Sequence, residues 1–294
     1  MTTIFSAAIV SSLGNIAGTR MCCQKRTMWN SFGGQRANNH VASLGHPMCT
    51  AKIVASLKNP SSQVKDDAIL SQPKADEKHF VLTHTGCHGA WCWYKIVELM
   101  RSSGHNVTTV DFGASGANSK QALEVTSFSD YLSPLMEFMA SLPADKKVVL
   151  VGHSFAGLAI SKAMETFPEK ISVAVFVAAL MPGPTFNATT LYTETVNLIT
   201  PQLDNRLTYD NGPTNPPTTL ILGPKFLAAN LYNLSPLEDL ELATKQVRPL
   251  YLYSVEDIGK EIILSRERYG SVKRVFVATS ESKALKNEFL NLRL

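Results

Sequence analysis

Several things are scarce in this chain of 294 residues, and each absence excludes something. No run of 18 apolar residues occurs, so no segment reads as a membrane-spanning helix; the longest apolar run, Val173 to Met181, has the length of a buried strand. The cysteines are only five (Cys22, Cys23, Cys49, Cys87 and Cys92), with no CxxC pair, no Cys/His metal pattern and no even spacing, which reads as a protein of a reducing compartment without a disulfide framework. Residues 1 to 65 contain no Asp or Glu but seven Lys/Arg, so the net charge of +4 belongs to the N-terminal part and the rest is slightly acidic. A nucleic-acid partner is therefore not expected, since it would need clustered Lys/Arg on the folded part. Histidine is the most telling scarcity. All seven lie at positions 40, 46, 79, 84, 88, 105 and 153, and none lies further on.

What is present is enough apolar material for a large core, with 45% hydrophobic and 18% charged residues. Residues 1–75 lack a sustained hydrophobic period, are rich in Ser and carry Arg20, Lys25, Arg26 and Arg36 with no acid before Asp66, the composition of an organelle transit segment. A disordered tail or an upstream sequence wrongly joined to the gene has the same composition. The expectation is a plastid location, otherwise cytoplasmic, with the folded domain over 76–294.

From His79 onward, short apolar runs alternate with longer helical periods, which predicts a parallel sheet with helices on both faces. Strands are expected at Phe80–His84, Val107–Phe112, Lys147–Gly152, Val173–Ala179 and Lys273–Thr279, and helices at Trp93–Ser103, Phe128–Ser141 and Ala156–Phe167. The run Val148-Val149-Leu150-Val151 is apolar without alternation, as a strand covered on both faces should be. From about 182 to 245 the chain becomes proline-rich, with short helical pieces such as Pro236 to Ala243, and reads as an inserted cap roofing a small apolar pocket.

The run Gly152-His153-Ser154-Phe155-Ala156-Gly157 follows a buried strand and leads into a helix. Small residues around a serine allow the sharp strand-to-helix turn of a nucleophile elbow, which holds the hydroxyl at the carboxyl edge of an α/β-hydrolase sheet. Ala156 stands where Gly is usual. The second signal is His84-Thr85-Gly86-Cys87-His88-Gly89-Ala90-Trp91, between the first strand and its helix. In such a fold this loop supplies one oxyanion N–H and the residue after the nucleophile the other, which points to Gly86 and Phe155. His84 and His88 read as ring nitrogens bracing the loop, and Cys87 as a small buried filler. No metal or other cofactor is implied.

The triad order in this fold is Ser, then Asp or Glu, then His. No histidine follows Ser154, and His153 and His105 are not in position to serve it. Where the acid is needed, Ser282 takes the inward position beside Glu281. The expectation is a C-terminally truncated domain lacking its last strand and helix, about 30 to 40 residues on ordinary element lengths.

His79-Phe80-Val81-Leu82-Thr83-His84, Cys87-His88-Gly89-Ala90-Trp91, Gly104-His105-Asn106-Val107-Thr108 and Tyr269-Gly270-Ser271-Val272-Lys273 together resemble the plant methylesterase and hydroxynitrile lyase family, over His79 to about Phe289. Within it, the strings Leu99 to Val107, Ser129 to Leu142 and Gly212 to Leu220 are most similar to the methylketone synthases, which decarboxylate β-keto acids. The resemblance implies a Gly in the esterases, and a Thr in the lyases and decarboxylases, at the place of Thr85; in the decarboxylases that Thr and the triad His hold the substrate, with Ala for the nucleophile and Asn for the acid. Here Thr85 and Ser282 lean toward the decarboxylase and Ser154 toward the esterase. The expected function is hydrolysis of methyl esters of small hydrophobic acids of the salicylate, jasmonate or indole acetate type; the alternatives are β-keto acid decarboxylation and an inactive homologue lacking the triad His. The expected partners are those small molecules, and a homodimer is left open.

Residues 1–75 fused to a fluorescent reporter in leaf cells should carry it into plastids; a reporter that stays diffuse in the cytosol would refute the transit reading.

Overall fold

The structure is a computed structural model that describes residues 77–183, 187–200 and 202–279. The N-terminal segment expected to be a transit peptide, and Glu281 and Ser282, lie outside the described residues.

The apolar runs form a five-stranded, wholly parallel sheet from β1 (His79–Thr83), β2 (Asn106–Val110), β3 (Val148–His153), β4 (Ile171–Val177) and, late in the chain, Arg274–Val277, in the order β2-β1-β3-β4 with the late strand outermost. Register is set along the pairs Phe80 with Val149, Leu82 with Val151, and Val151 with Val175. Every residue of β3 is buried, which accounts for the absence of alternation in Val148 to Val151. Successive side chains go to opposite faces. Val81, Leu150 and Phe176 join Phe128, Leu132, Leu158 and Ile160 on one side, whereas Phe80, Leu82, Val151 and Val175 meet Trp93, Ile96 and Met100 on the other.

The crossovers are α1 (Tyr94–Ser102), α2 (Phe128–Ser141) and α3 (Ala156–Thr166). Ser127 caps α2 by accepting from the Asp130 N–H at 3.0 Å. Pro134 inside α2 has no N–H for the Asp130 carbonyl, and the Ser133 hydroxyl donates to that carbonyl at 3.0 Å instead. All expected strands and helices are present, with ends shifted by one or two residues where caps and turns take over.

Between the sheet's fourth and fifth strands lies a smaller layer: α4 (Ala188–Ile199), β5 (Arg206–Thr208), β6 (Thr219–Ile221), a helical turn Pro224–Phe226 continuing as a π-turn Leu227–Leu231, α5 (Leu237–Gln246), β7 (Leu250–Tyr251) and α6 (Val255–Glu261). β5, β6 and β7 make a three-stranded antiparallel sheet, although the proline-rich sequence suggested only short helices there. This cap is anchored to α1 by a buried carboxylate. Asp239 of α5 accepts from Tyr94 Oη at 2.6 Å and Lys95 Nζ at 2.8 Å. The fifth strand of the main sheet among the described residues, β8, is Arg274–Val277 and pairs with β4. Among the described residues no helix is long and apolar enough to cross a membrane.

Leu150 is fully buried at the centre of the sheet, so Leu150→Ala should lower unfolding free energy by about 3 kcal/mol, the usual cost of a core leucine cavity. Urea unfolding of the two proteins measures it.

Candidate active site

The carboxyl ends of β1 and β3 bring two loops side by side under the cap. Directly after β3, Ser154 takes a left-handed backbone with φ 55°, a conformation that costs a β-carbon residue energy and that the surroundings must impose. They do so through three backbone bonds: Ser154 N–H donates to the Val177 carbonyl at 3.2 Å, and the Ser154 carbonyl accepts from Gly157 N–H at 3.0 Å and Leu180 N–H at 2.9 Å. The chain after β4 thus clasps the turn. Gly157 allows this approach, since a β-carbon there would sit 2.0 Å from the Leu180 carbonyl oxygen. Ala156 is buried within α3, and its methyl is accommodated.

After β1, Thr85 is buried and Gly86 lies so close to the cap that a β-carbon would meet Leu250 Cδ2 at 2.9 Å. The two histidines brace this loop, and simple donor logic gives their tautomers. Phe112 N–H donates to His84 Nε2 at 3.2 Å, so the proton is on Nδ1, which donates to the Thr85 carbonyl at 2.8 Å. His88 Nδ1 lies 3.1 Å from the Gly86 carbonyl and Nε2 lies 3.0 Å from the Tyr232 hydroxyl of the cap. Asp111, after β2, holds the far end of the loop through the Ala90 N–H at 2.6 Å and its own segment through the Ala117 N–H at 3.1 Å.

Ser154, Thr85, Gly86 and Phe155 line one cavity of about 70 Å³, several times the space one water needs. Most of its wall is apolar and comes from the cap: Val196, Ile199, Leu220, Leu222, Phe226, Leu231 and Leu250. Apart from Thr85 and Ser154, its polar side chains are Cys87, His153, Tyr192 and Thr195, and the Tyr192 and Thr195 hydroxyls are spent on the Tyr253 and Leu191 carbonyls, both at 2.7 Å. The N–H groups of Gly86 and Phe155 have no acceptor among the described residues, and neither has the Ser154 hydroxyl a histidine partner there. No cluster of His, Cys, Asp or Glu able to hold a metal ion occurs among the described residues. Of the cap residues, Leu220, Leu250 and Tyr232 had no sequence signal, because they lie in or directly after turns and strands of two to five residues without a period.

Burial governs the titration of the site. It pushes the Cys87 thiol up to about 12, so this residue stays a thiol whose Sγ–H points to the Leu220 carbonyl at 3.3 Å. Desolvation lowers His84 and His88 to about 4 and His153 to about 3, leaving all three neutral near pH 7. His153 packs edge-on against Trp93, with ring centroids 6.3 Å apart.

Because these histidines take up protons near 6.5 when unfolded but only near 4 or below when folded, their contribution to stability is complete above about pH 6.5 and is lost as pH falls from there toward 4. Chemical denaturation should therefore show clearly lower stability at pH 5 than at pH 7, by up to about 1.4 kcal/mol per histidine per pH unit. Equal stability at the two pH values would contradict neutral burial.

The sequence pattern of the alpha/beta hydrolase fold matches residues 78–255. The chain is 52% identical to methyl jasmonate esterase 1 of Vitis vinifera over 214 residues, covering 72% of this chain and 82% of that one. It is 48% identical to polyneuridine aldehyde esterase of Rauvolfia serpentina over 216 residues, covering 72% and 81%. The crystal structure of tomato methylketone synthase I in complex with 2-tridecanone superposes with a TM-score of 0.72 at 71% identity, over 74% of this chain and 84% of that one. Fold, elbow and relatives agree with the resemblance in the motifs: the chain belongs to the plant methylesterase family of the alpha/beta hydrolase fold.

Proposed function

We propose that this protein hydrolyses methyl esters of small hydrophobic carboxylic acids, of the jasmonate, salicylate or indole acetate type. The observation that carries this reading is Ser154, held at φ 55° on a cavity walled by cap side chains, together with the N–H groups of Gly86 and Phe155, which have no acceptor among the described residues. An ester carbonyl placed there has its carbon at Ser154 Oγ and its oxygen toward two donors. Attack forms a tetrahedral oxyanion, methanol leaves with a proton, and water releases the acid from the acyl-serine. The proton on Oγ must pass to a base, and no histidine among the described residues bonds to it. The apolar wall suits an uncharged acyl group, and the relative from Vitis vinifera is named for a methyl ester of that kind.

A second reading, decarboxylation of a β-keto acid, is favoured by Thr85 on the same cavity and by the likeness to tomato methylketone synthase I, crystallised with 2-tridecanone. That reaction needs no nucleophile. The C–C bond to the carboxylate breaks, CO₂ leaves from a dry pocket, and the electron pair moves onto the ketone oxygen as an enolate facing the same N–H donors, to be protonated at carbon.

Ser154→Ala separates the two. Under the first reading it should reduce methyl ester hydrolysis on the order of 10³-fold or more. Under the second it leaves CO₂ release from a medium-chain β-keto acid intact while Thr85→Ala lowers it. Absence of turnover of both substrates by the parent protein would sink both readings in favour of a binding role, visible as ligand-induced thermal stabilisation.

A further inference from the structure

Gly86 has no side chain, so its orientation depends on what grips the peptide groups on either side. The carbonyl of the Thr85–Gly86 peptide accepts from His84 Nδ1 at 2.8 Å and from the His88 N–H at 3.3 Å. In a trans peptide the N–H points opposite to the carbonyl, so these bonds turn the Gly86 N–H away from the two histidines, and Gly86 lines the cavity. The next carbonyl, that of Gly86 itself, is 3.1 Å from His88 Nδ1. A carbonyl can only accept, so the proton is on Nδ1; Nε2 is then bare, and the Tyr232 hydroxyl donates to it at 3.0 Å. The His88 ring is held between Trp91, stacked at 5.2 Å, and Tyr232, whose ring plane is within 5° of its own.

Tyr232 belongs to the cap, directly after the π-turn, and accompanies two other cap grips on this loop. Arg248 N–H donates to the Cys87 carbonyl at 2.9 Å, and Cys87 Sγ–H donates to the Leu220 carbonyl at 3.3 Å. Cys87 is itself left-handed, with φ 62°, so the loop keeps this shape only while it is held. Of the three grips, only the one through His88 reaches Gly86.

We propose that His88 is a positioning residue that couples the seating of the cap to the direction of the Gly86 N–H, so that the oxyanion donor is fully formed only when Tyr232 is docked. The use of Gly86 as a donor rests on the reaction proposed above; the coupling itself does not. Lifting the cap to admit substrate withdraws the Tyr232 hydroxyl from Nε2 and frees the imidazole that holds the Gly86 carbonyl. Closure over a substrate restores both, completing the donor set as the pocket is sealed.

The test combines ¹⁵N NMR and kinetics on the full chain. The parent should show His88 as the Nδ1–H tautomer. Tyr232→Phe, which keeps the ring and removes the hydroxyl, should shift the Gly86 amide resonance, whereas Leu237→Ala at an exposed cap position should not. With a methyl ester, Tyr232→Phe should lower kcat about tenfold while KM stays within about twofold, since a misdirected oxyanion donor is missed in the transition state. His88→Asn, whose amide nitrogen can replace Nδ1 but cannot reach Tyr232, should shift the Gly86 amide likewise and serves if the phenylalanine variant does not fold. A His88 protonated on Nε2, a Gly86 amide unmoved by both variants, or a KM rise with kcat intact would overturn the coupling. If the parent turns over no ester, the hydrolase reading fails alone, and the NMR result still decides the coupling.

Discussion

The Ser154 carbonyl accepts two hydrogen bonds, one from the helix it begins and one from Leu180 beyond the neighbouring strand, and the rest of the site follows from that arrangement. A left-handed serine costs energy wherever it stands, so it persists only where the surroundings over-determine it. Here β3 is buried throughout, β4 lies beside it in register, and the chain leaving β4 returns across Gly157 without room for a β-carbon. Sheet packing therefore decides the position of a hydroxyl. The strain is balanced by the core on both sheet faces, and the hydroxyl emerges at the edge where the carboxyl ends of all the parallel strands meet.

Opposite that turn, the loop after β1 is ordered by a different means. It has little side-chain bulk near the cavity, and its shape comes from buried neutral histidines whose two ring nitrogens take opposite roles, one donor and one acceptor. A charged imidazole would carry a second N–H into an acceptor's place, as His84 Nε2 facing the Phe112 N–H makes plain. Burial keeps these rings neutral, and neutrality makes each a directional link. The elbow is thus set by backbone and packing, the opposing loop by a polar network partly owned by the cap.

Much of this was legible in the residues. Val148 to Val151 announces a strand buried on both faces, and the small residues around Ser154 announce the sharp turn from that strand into a helix. Gly86, Ser154 and Phe155 were named from motif spacing and Thr85 from the family resemblance, and the structure brings them to one cavity. The small sheet of the cap resisted such reading. β5, β6 and β7 have two or three residues each, too few to show alternation, and their pairing joins residues far apart in sequence. For the same reason the partnership of Tyr232 with His88, 144 positions away, leaves no local trace. Ser282, named for the acid position, lies outside the described residues.

The anchoring of the cap through Asp239 gives the closed state a thermal character of its own. Hydrophobic attraction per unit area levels off on warming, whereas the cost of drying a carboxylate and an ammonium declines, because ion hydration carries a strongly negative entropy. The seam between α5 and α1 is built on such a pair, reinforced by the Tyr94 hydroxyl, while the cavity wall is built of leucine, isoleucine and phenylalanine. The two kinds of contact thus respond differently to temperature. Warming loosens the grip of the pocket on an apolar ligand relative to the grip of α5 on α1, so heat favours emptying of the pocket over detachment of the cap.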